Sequence, residues 1–484
     1  MVVWFSDCWR VSPPVQSGVM TDVTRILNAV AQGEAHAASE LLPLLGHRDE
    51  NAVAAWRGAS PVTMREMLDD VARTAAALPR ASHVLNLCTD RYRFAVAYLA
   101  AVVRGQVTLL PPAPTTNVIA DLRSFAPDVY YVSDDPTAAV DLPRCDIAEP
   151  ADAAPWPAMP RIRADQLVAI LFTSGSTGEP RPHFKNWGSL VRDVRAEAER
   201  FGIGGTHAVL GTVPAQHMYG FESTVMLPVA AGAALTDERP YYPGDIDAAI
   251  ERLPAPRVLF TTPFHLRAWL GADDPVAIEI IVSATAPLSL ELARETEART
   301  HARLLEIYGC TEAGQVATRR PTEGSAWRLY PGMKLREHEG RAVVSGAHVE
   351  EPVALQDVIE AHEDGVHFTL HGRFSDMVNI AGKRNSLGYL NHQLTSIEGV
   401  VDGVFFVPDE REPDAVTRLT AFVVAPTLTA GQVLEQLRAR IDPAFLPRPL
   451  VKVDSLPRQI TGKLPREALR ALAARRDEPP KKGS

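Results

Sequence analysis

A chain of 484 residues with a net charge of −10 is too long for one hydrophobic core and too acidic for a general nucleic-acid binder. Its 46% hydrophobic and 22% charged residues suit a folded globular enzyme, and no apolar run reaches the ~18 residues that a membrane span needs. Four cysteines (Cys8, Cys88, Cys145, Cys310), none in a C-x-x-C pair, exclude a cysteine-built zinc site and fit a reducing, cytoplasmic setting.

In chain order, residues 1–19 hold no lysine, lack the charged start and apolar core of a signal peptide, and show no helical or strand period. They read as a disordered or non-native extension, and Met20 as an alternative start of translation. From Val62 the pattern becomes regular. Met64–Leu78 carries Met67, Leu68, Val71, Ala75 and Leu78 on one helical stripe. Val84–Leu87 reads as a strand, Phe94–Val103 as a helix and Val107–Leu110 as the next strand. Such alternation predicts a parallel sheet covered by helices. A second unit pairs a strand at 167–172 with a helix Gly188–Phe201, whose Leu190, Val191, Val194, Ala198 and Phe201 face inward. Strands are expected at Ala208–Val213, Arg257–Thr262 and Ile278–Ser283. Between Ala342 and Leu370 short strands suggest a smaller β subdomain. Beyond Arg373 come strands at Gly403–Val407 and Arg418–Val424 and helices at Ala430–Ile441 and Arg466–Ala474, which suit a compact α+β unit.

The strand at 167–172 runs into Thr173-Ser174-Gly175-Ser176-Thr177-Gly178-Glu179-Pro180-Arg181. Glycines let backbone approach a ligand closely and hydroxyls donate to anionic oxygens, so this loop suits a phosphate chain. The spacing is not that of a Walker A loop. Three further strings follow: Tyr308-Gly309-Cys310-Thr311-Glu312; Gly372-Arg373-Phe374-Ser375-Asp376 with Gly382-Lys383-Arg384; and Leu456-Pro457-Arg458-Gln459-Ile460-Thr461-Gly462-Lys463-Leu464-Pro465-Arg466.

In this order and at these separations the strings resemble the adenylate-forming superfamily: acyl- and aryl-CoA ligases, peptide-synthetase adenylation domains and luciferases. The resemblance runs from about Leu45 to Leu472. It implies an α/β fold: a large N-terminal body of layered β-sheets with helices plus a β subdomain, and a small mobile α+β C-terminal lid. The implied boundaries are 20–374 for the body, 375–476 for the lid and 477–484 for a disordered tail.

The same resemblance implies ATP and Mg²⁺ as cofactors, and CoA or a phosphopantetheine thiol as acceptor. A carboxylate attacks the α-phosphorus of ATP to give acyl-AMP and pyrophosphate, and the thiol then takes the acyl group. Lys463 is the implied catalytic lysine, reaching carboxylate and α-phosphate. The nucleotide would be held by Thr173 to Gly178, Arg181, Ala284, Thr285, Ala286, Tyr308 (stacked on adenine), Gly309, Thr311, Asp357 (on the ribose hydroxyls) and Arg373. Glu312 would hold the Mg²⁺, Asp376 would be the hinge, and Gly382 would line the thiol tunnel.

The sequence departs from the family pattern in three places. Arg181 stands where lysine is usual, with Lys185 near enough to supply an ammonium. Leu355-Gln356-Asp357 replaces T-G-D, and Ser283-Ala284-Thr285-Ala286-Pro287 replaces S-G-G-A-P.

The substrate reading rests on Pro214-Ala215-Gln216-His217-Met218-Tyr219-Gly220-Phe221, similar to the P-x-x-H-x-Y-G string of aryl- and acyl-CoA ligases. It places His217 at the carboxylate, as a catalytic and pocket residue, with Tyr219, Gly220 and Phe221 lining the pocket. Amino-acid-activating relatives carry an aspartate where this chain has Tyr219. Pro182-His183-Phe184-Lys185-Asn186-Trp187 looks similar to stand-alone ligases of aryl-polyene and xanthomonadin-type pigment pathways, which load a hydroxybenzoate-like acid onto an acyl carrier protein. Gly431–Ser484 carries twelve Lys/Arg against six Asp/Glu, a balance that suits an acidic carrier. Medium-chain fatty-acid activation, amino-acid adenylation and a non-catalytic nucleotide-binding member are the alternatives.

Other features are set aside. His362, His367 and His371 lack an H-E-x-x-H arrangement for zinc. Gly202-Ile203-Gly204-Gly205 lacks the third glycine of a dinucleotide fingerprint and follows a helix. Cys310 sits inside a nucleotide motif without a nucleophile's surroundings.

Overall fold

A computed structural model describes residues 40–147, 156, 158–174, 180–272, 275–380, 383–407, 419–458 and 464–477. Two large sheets organise the body. The first has six strands, ordered Pro180–Asn186, Leu167–Ser174, Val107–Leu110, His83–Asn86, Tyr130–Ser133, Arg144–Asp146. All its pairings are parallel except the edge hairpin of Leu167–Ser174 with Pro180–Asn186. The second has eleven strands. Its centre is parallel and runs Val53–Arg57, Ala234–Thr236, Ala208–Gly211, Arg257–Thr261, Ile280–Ser283, Arg303–Cys310. Antiparallel strands, beginning with Gly314–Arg319, extend it past Arg303–Cys310.

The periodic stripes become buried faces. Met64–Ala77 starts on a capping box in which Thr63 and Glu66 satisfy each other's backbone N–H groups, and it buries Met67, Leu68, Val71 and Ala75. The Trp187–Phe201 helix buries Leu190, Val191, Val194, Ala198 and Phe201 against the main core. Each such Val, Leu, Met or Phe side chain contributes about 1.5–3 kcal/mol.

Three expectations need correction. The strand-rich stretch 342–370 is not one subdomain. Met333–His338, Arg341–Gly346 and Val349–Ala354 form a separate three-stranded sheet, whereas the hairpin Asp357–Ala361/His367–Arg373 joins the edge of the eleven-stranded sheet. The loop read from Thr173 to Arg181 is shorter, because the strand before it runs to Ser174 and a second strand, Pro180–Asn186, precedes the helix. The helix expected to Ile441 ends at Arg438.

Past a short 3-10 turn at Phe374–Asp376, the chain builds a three-stranded sheet of Asp402–Phe406, Thr420–Val424 and Leu450–Lys452, with helices Leu387–Thr395, Ala430–Arg438 and Arg466–Asp477. Its two hydrophobic clusters, around Leu394 and Phe405 and around Phe406 and Phe422, draw only on residues from Val378 onward. The expected extension 1–19 lies outside the described residues, as does the expected tail 477–484 apart from Asp477, which closes a helix. Among the described residues, no helix is long and apolar enough to cross a membrane.

Candidate active site

The motif segments meet at the carboxyl ends of neighbouring parallel strands of the larger sheet, the usual place for a ligand in an α/β fold. Ala208–Gly211 leads to the histidine string, Ile280–Ser283 to Ala284-Thr285-Ala286, and Arg303–Cys310 to Thr311-Glu312.

On the phosphate side, Gly175, Ser176, Thr177 and Gly178 lie outside the described residues, while the two strands that frame them are described. Ser174 ends one strand and Arg181, on the other, pairs in register with Thr173. The register also pairs Leu171 with His183 and Ala169 with Lys185. Alternation along a strand puts Arg181, His183 and Lys185 on one face. The Thr173 hydroxyl and His183 Nε2 share a hydrogen bond of 2.9 Å, and the same Nε2 lies 4.0 Å from Glu312 Oε1. Burial lowers the His183 pKa, the Glu312 carboxylate opposes that, and Lys185 and Arg181 reinforce it. Lys185 is buried and its Nζ lies 3.5 Å from the Glu312 carbonyl oxygen.

Glu312 sits in the turn between Arg303–Cys310 and Gly314–Arg319, beside half-buried Thr311, with its own side chain 46% exposed. The turn depends on Gly314, whose φ of +72° is in the left-handed region and whose missing Cβ leaves room for Asp193 Oδ2, otherwise 2.3 Å away. Burial first, then the neighbouring Glu312, pushes the Cys310 thiol up to about 12, which leaves it unreactive.

On the nucleoside side, Tyr308 donates its hydroxyl to Asp357 Oδ2 at 2.7 Å, and its ring packs 5.7 Å from both Trp327 and Phe368. Asp357 and Arg373 face each other across a hairpin, with Nε and Oδ1 3.8 Å apart. Burial raises the Asp357 pKa, and Tyr308 and Arg373 hold it back. Ala284 is buried, Ala286 is half-buried, and Thr285 takes a φ of +76° with its hydroxyl buried and unpartnered. The family's glycine at this position would adopt that conformation without strain, whereas a β-branched residue does not.

On the acid side, half-buried His217 precedes the short helix Met218–Phe221. Gly220 is required by packing, since a Cβ there would lie 2.0 Å from the Pro214 carbonyl oxygen. Tyr219 donates its hydroxyl to Val282 O at 2.9 Å, tying this helix to the strand that leads to Thr285. Phe221 is fully buried in the core, edge-on to Tyr98 at 5.0 Å and Phe94 at 6.4 Å.

Asp376 ends the 3-10 turn that joins the body to the C-terminal unit. Gly382 and Lys463 lie outside the described residues, although Leu456–Arg458 and the helix Arg466–Asp477 frame the lysine segment. His362, His367 and His371 bond separately to Thr369, Asp364 and Glu360, and no metal-holding group of three or more His, Cys, Asp or Glu exists among the described residues. A cavity of about 720 Å³ bounded by Gly46, Met64, Arg161, Arg195 and Ala230 is lined by none of the motif residues. Asp193 and His348 belong to none of the motif strings, and the period-two spacing of Arg181, His183 and Lys185 is the sequence signal that could have shown what His183 does.

Residues 45–348 match the family model of AMP-binding enzymes. The chain is similar to a 4-coumarate–CoA ligase of Rhodobacter capsulatus, 31% identical over 285 residues that cover 58% of this chain and 69% of that one. It is also similar to an indoleacetate–CoA ligase of Aromatoleum aromaticum, 26% identical over 361 residues, covering 66% and 70%. In fold it matches ATP-bound MatB from Rhodopseudomonas palustris with a TM-score of 0.75 at 21% identity, over 88% of this chain and 96% of that one.

Proposed function

This chain belongs to the AMP-binding enzyme family, and from that premise we propose that it activates an aromatic, hydroxybenzoate-like carboxylic acid with ATP and passes it to the thiol of an acyl carrier protein or of CoA. One observation carries the reading. Thr173, His183 and Glu312 on the phosphate side, and Tyr308, Asp357 and Arg373 on the nucleoside side, border the same row of strand ends as His217. An oxygen of the acid attacks the α-phosphorus, and the bond to pyrophosphate breaks. A thiolate then attacks the acyl carbon, and AMP leaves.

In this reading Asp357 accepts the ribose hydroxyls, Arg373 donates to ribose or phosphate, and His217 borders the carboxylate. Lys463 supplies positive charge where two anions meet, Asp376 is the hinge that brings it in or removes it, and Gly382 borders the incoming thiol. The turn at Glu312 fits Mg²⁺, because its carboxylate is half exposed and a single carboxylate plus phosphate oxygens is a common Mg²⁺ set. Bound there, the ion would offset phosphate charge.

The aromatic assignment draws support from relatives named for 4-coumarate and indoleacetate. The aspartate that pairs an amino acid's ammonium is replaced by Tyr219, whose hydroxyl is engaged by Val282. Exposed Arg438, Arg440 and Arg448 on the C-terminal unit suit an acidic carrier protein.

The test is acid-dependent pyrophosphate release across benzoates, hydroxybenzoates, cinnamates, medium-chain fatty acids and amino acids. A hydroxybenzoate response is expected, and Lys463→Ala should abolish it while sparing thioester formation from supplied acyl-AMP. ATP binding without pyrophosphate release for any acid would overturn the reading in favour of a non-catalytic member.

A further inference from the structure

We infer that Lys185, Asp193 and His348 are positioning residues that hold the Glu312 turn, so that its carboxylate is aimed at a metal–triphosphate ligand. The inference rests on the nucleotide-binding part of the proposed function.

Three successive parts of the turn are gripped by three different elements. Lys185, on the Pro180–Asn186 strand, donates to the Glu312 carbonyl oxygen at 3.5 Å. His348 Nε2, in the turn between two strands of the three-stranded sheet, lies 3.1 Å from the Ala313 carbonyl oxygen. Asp193 Oδ2, on the Trp187–Phe201 helix, accepts the Gln315 N–H at 3.2 Å. The Gln315 side chain is held in turn, donating to Glu197 at 2.6 Å and accepting from the Tyr330 hydroxyl at 3.0 Å. The grips leave the Glu312 side chain as the exposed member of the turn.

The charges are arranged for this purpose. Burial raises the Glu222 carboxyl well above the ordinary carboxylate range and Asp193 to about 7, while the Lys185 ammonium favours the ionised form of both. Burial, with Lys185 adding, lowers His348 to about 4, so its imidazole is neutral near pH 7 and Nε2–H can serve as a donor. Burying a lysine, two acids and a histidine together is costly unless they act as a network. A Gly314 that only glycine can occupy, with Asp193 Oδ2 filling the place of its Cβ, shows how closely the helix meets the turn. Groups that orient a metal ligand change metal affinity by ~10–100-fold when removed.

The experiment measures retention of Mn²⁺, a paramagnetic substitute for Mg²⁺, with a non-hydrolysable ATP analogue. Electron paramagnetic resonance follows the metal, calorimetry follows the nucleotide alone, and thermal melting follows the fold. Lys185→Met should weaken Mn²⁺ retention by about tenfold or more. In a Glu312→Gln background the same change should have almost no further effect. His348→Leu removes the grip on Ala313, together with the 3.5 Å approach of Nε2 to Asp193 Oδ1, and should act the same way, which keeps the test open if Lys185→Met fails to fold. Unchanged Mn²⁺ retention in folded variants, or an equal loss with Glu312 already replaced, would overturn the inference. Wild-type protein that retains Mn²⁺ with the analogue but activates no acid would leave this inference standing and remove the ligase reading.

Discussion

Arg458 grips Asp402 with two parallel bonds, Nε to Oδ2 at 2.7 Å and Nη2 to Oδ1 at 2.6 Å. Arg458 is the last described residue before the segment that holds Lys463, and Asp402 opens an edge strand of the C-terminal unit's three-stranded sheet. The pair thus fixes Leu456–Arg458, the stretch that leads to Lys463, to that unit's sheet. Arg267 of the body lies close enough for Asp402 to favour its charge and Arg458 to oppose it, while burial lowers its pKa.

Asp402→Asn should therefore loosen the stretch that leads to Lys463. A bidentate, mostly buried charge pair is worth roughly 1–3 kcal/mol. Acyl-AMP formation should fall by about tenfold, and thioester formation from supplied acyl-AMP should fall much less. Half-reaction assays beside a melting curve check this. An equal drop in both would mean that the pair only stabilises the fold.

Tyr308→Phe removes the donor to Asp357 and leaves the ring packing in place. One hydrogen bond to a carboxylate is worth roughly 1–3 kcal/mol, so the KM for ATP should rise by about five- to tenfold while the KM for the acid stays put. Varying each substrate in turn checks the split, and parallel rises would sink the assignment of Asp357 to the nucleotide.

Thr285→Gly should stabilise the protein. A non-glycine residue in the left-handed region costs roughly 1–2 kcal/mol, against ~0.5–1 kcal/mol for glycine's extra freedom in the unfolded chain. A melting temperature that rises by a few degrees, with the buried unpartnered hydroxyl gone, is the expected result. A lower one would mean that Thr285 makes a contact that offsets its strain.

Much of this was legible in the sequence. The stripe from Leu190 to Phe201 and the strand cores at Val107–Leu110 and Ala208–Gly211 follow from local periodicity, which the fold obeys where one face is buried. Motif order gave Tyr308 and Asp357 separate roles, on adenine and on ribose, and not the hydrogen bond between them. What could not be read was pairing at a distance. His183 and Lys185 matter because a hairpin register turns them toward Glu312, and the hairpin at Asp357–Arg373 joins the large sheet through a strand some forty residues earlier, Trp327–Leu329. Phe221 belonged to a pocket string by sequence, yet the chain there continues into a π-helical turn, Glu222–Met226, and its ring lies in the core.

Glu197 gives a pH signature. Its carboxyl is fully buried and pushed up to about 8, chiefly by burial, from an ordinary value of 4.5. The folded state therefore keeps a proton that the unfolded chain releases, so stability is full below about 4.5, declines as pH rises and levels off above about 8. At about 1.4 kcal/mol per pKa unit the total is a few kcal/mol. Glu197→Gln should melt close to wild type at pH 4.5 and progressively higher than wild type toward pH 8, a trend that a pH series of melting curves would reveal or refute.

The separate cores of the C-terminal unit also bear on biosynthesis. Every side chain buried in them comes from Val378 or later, so the unit can fold only after the body has left the ribosome. A nascent or clipped chain ending near Asp376 would carry the groups proposed to recognise a nucleotide but lack Lys463. Under the proposed roles, such a fragment would bind ATP without activating an acid.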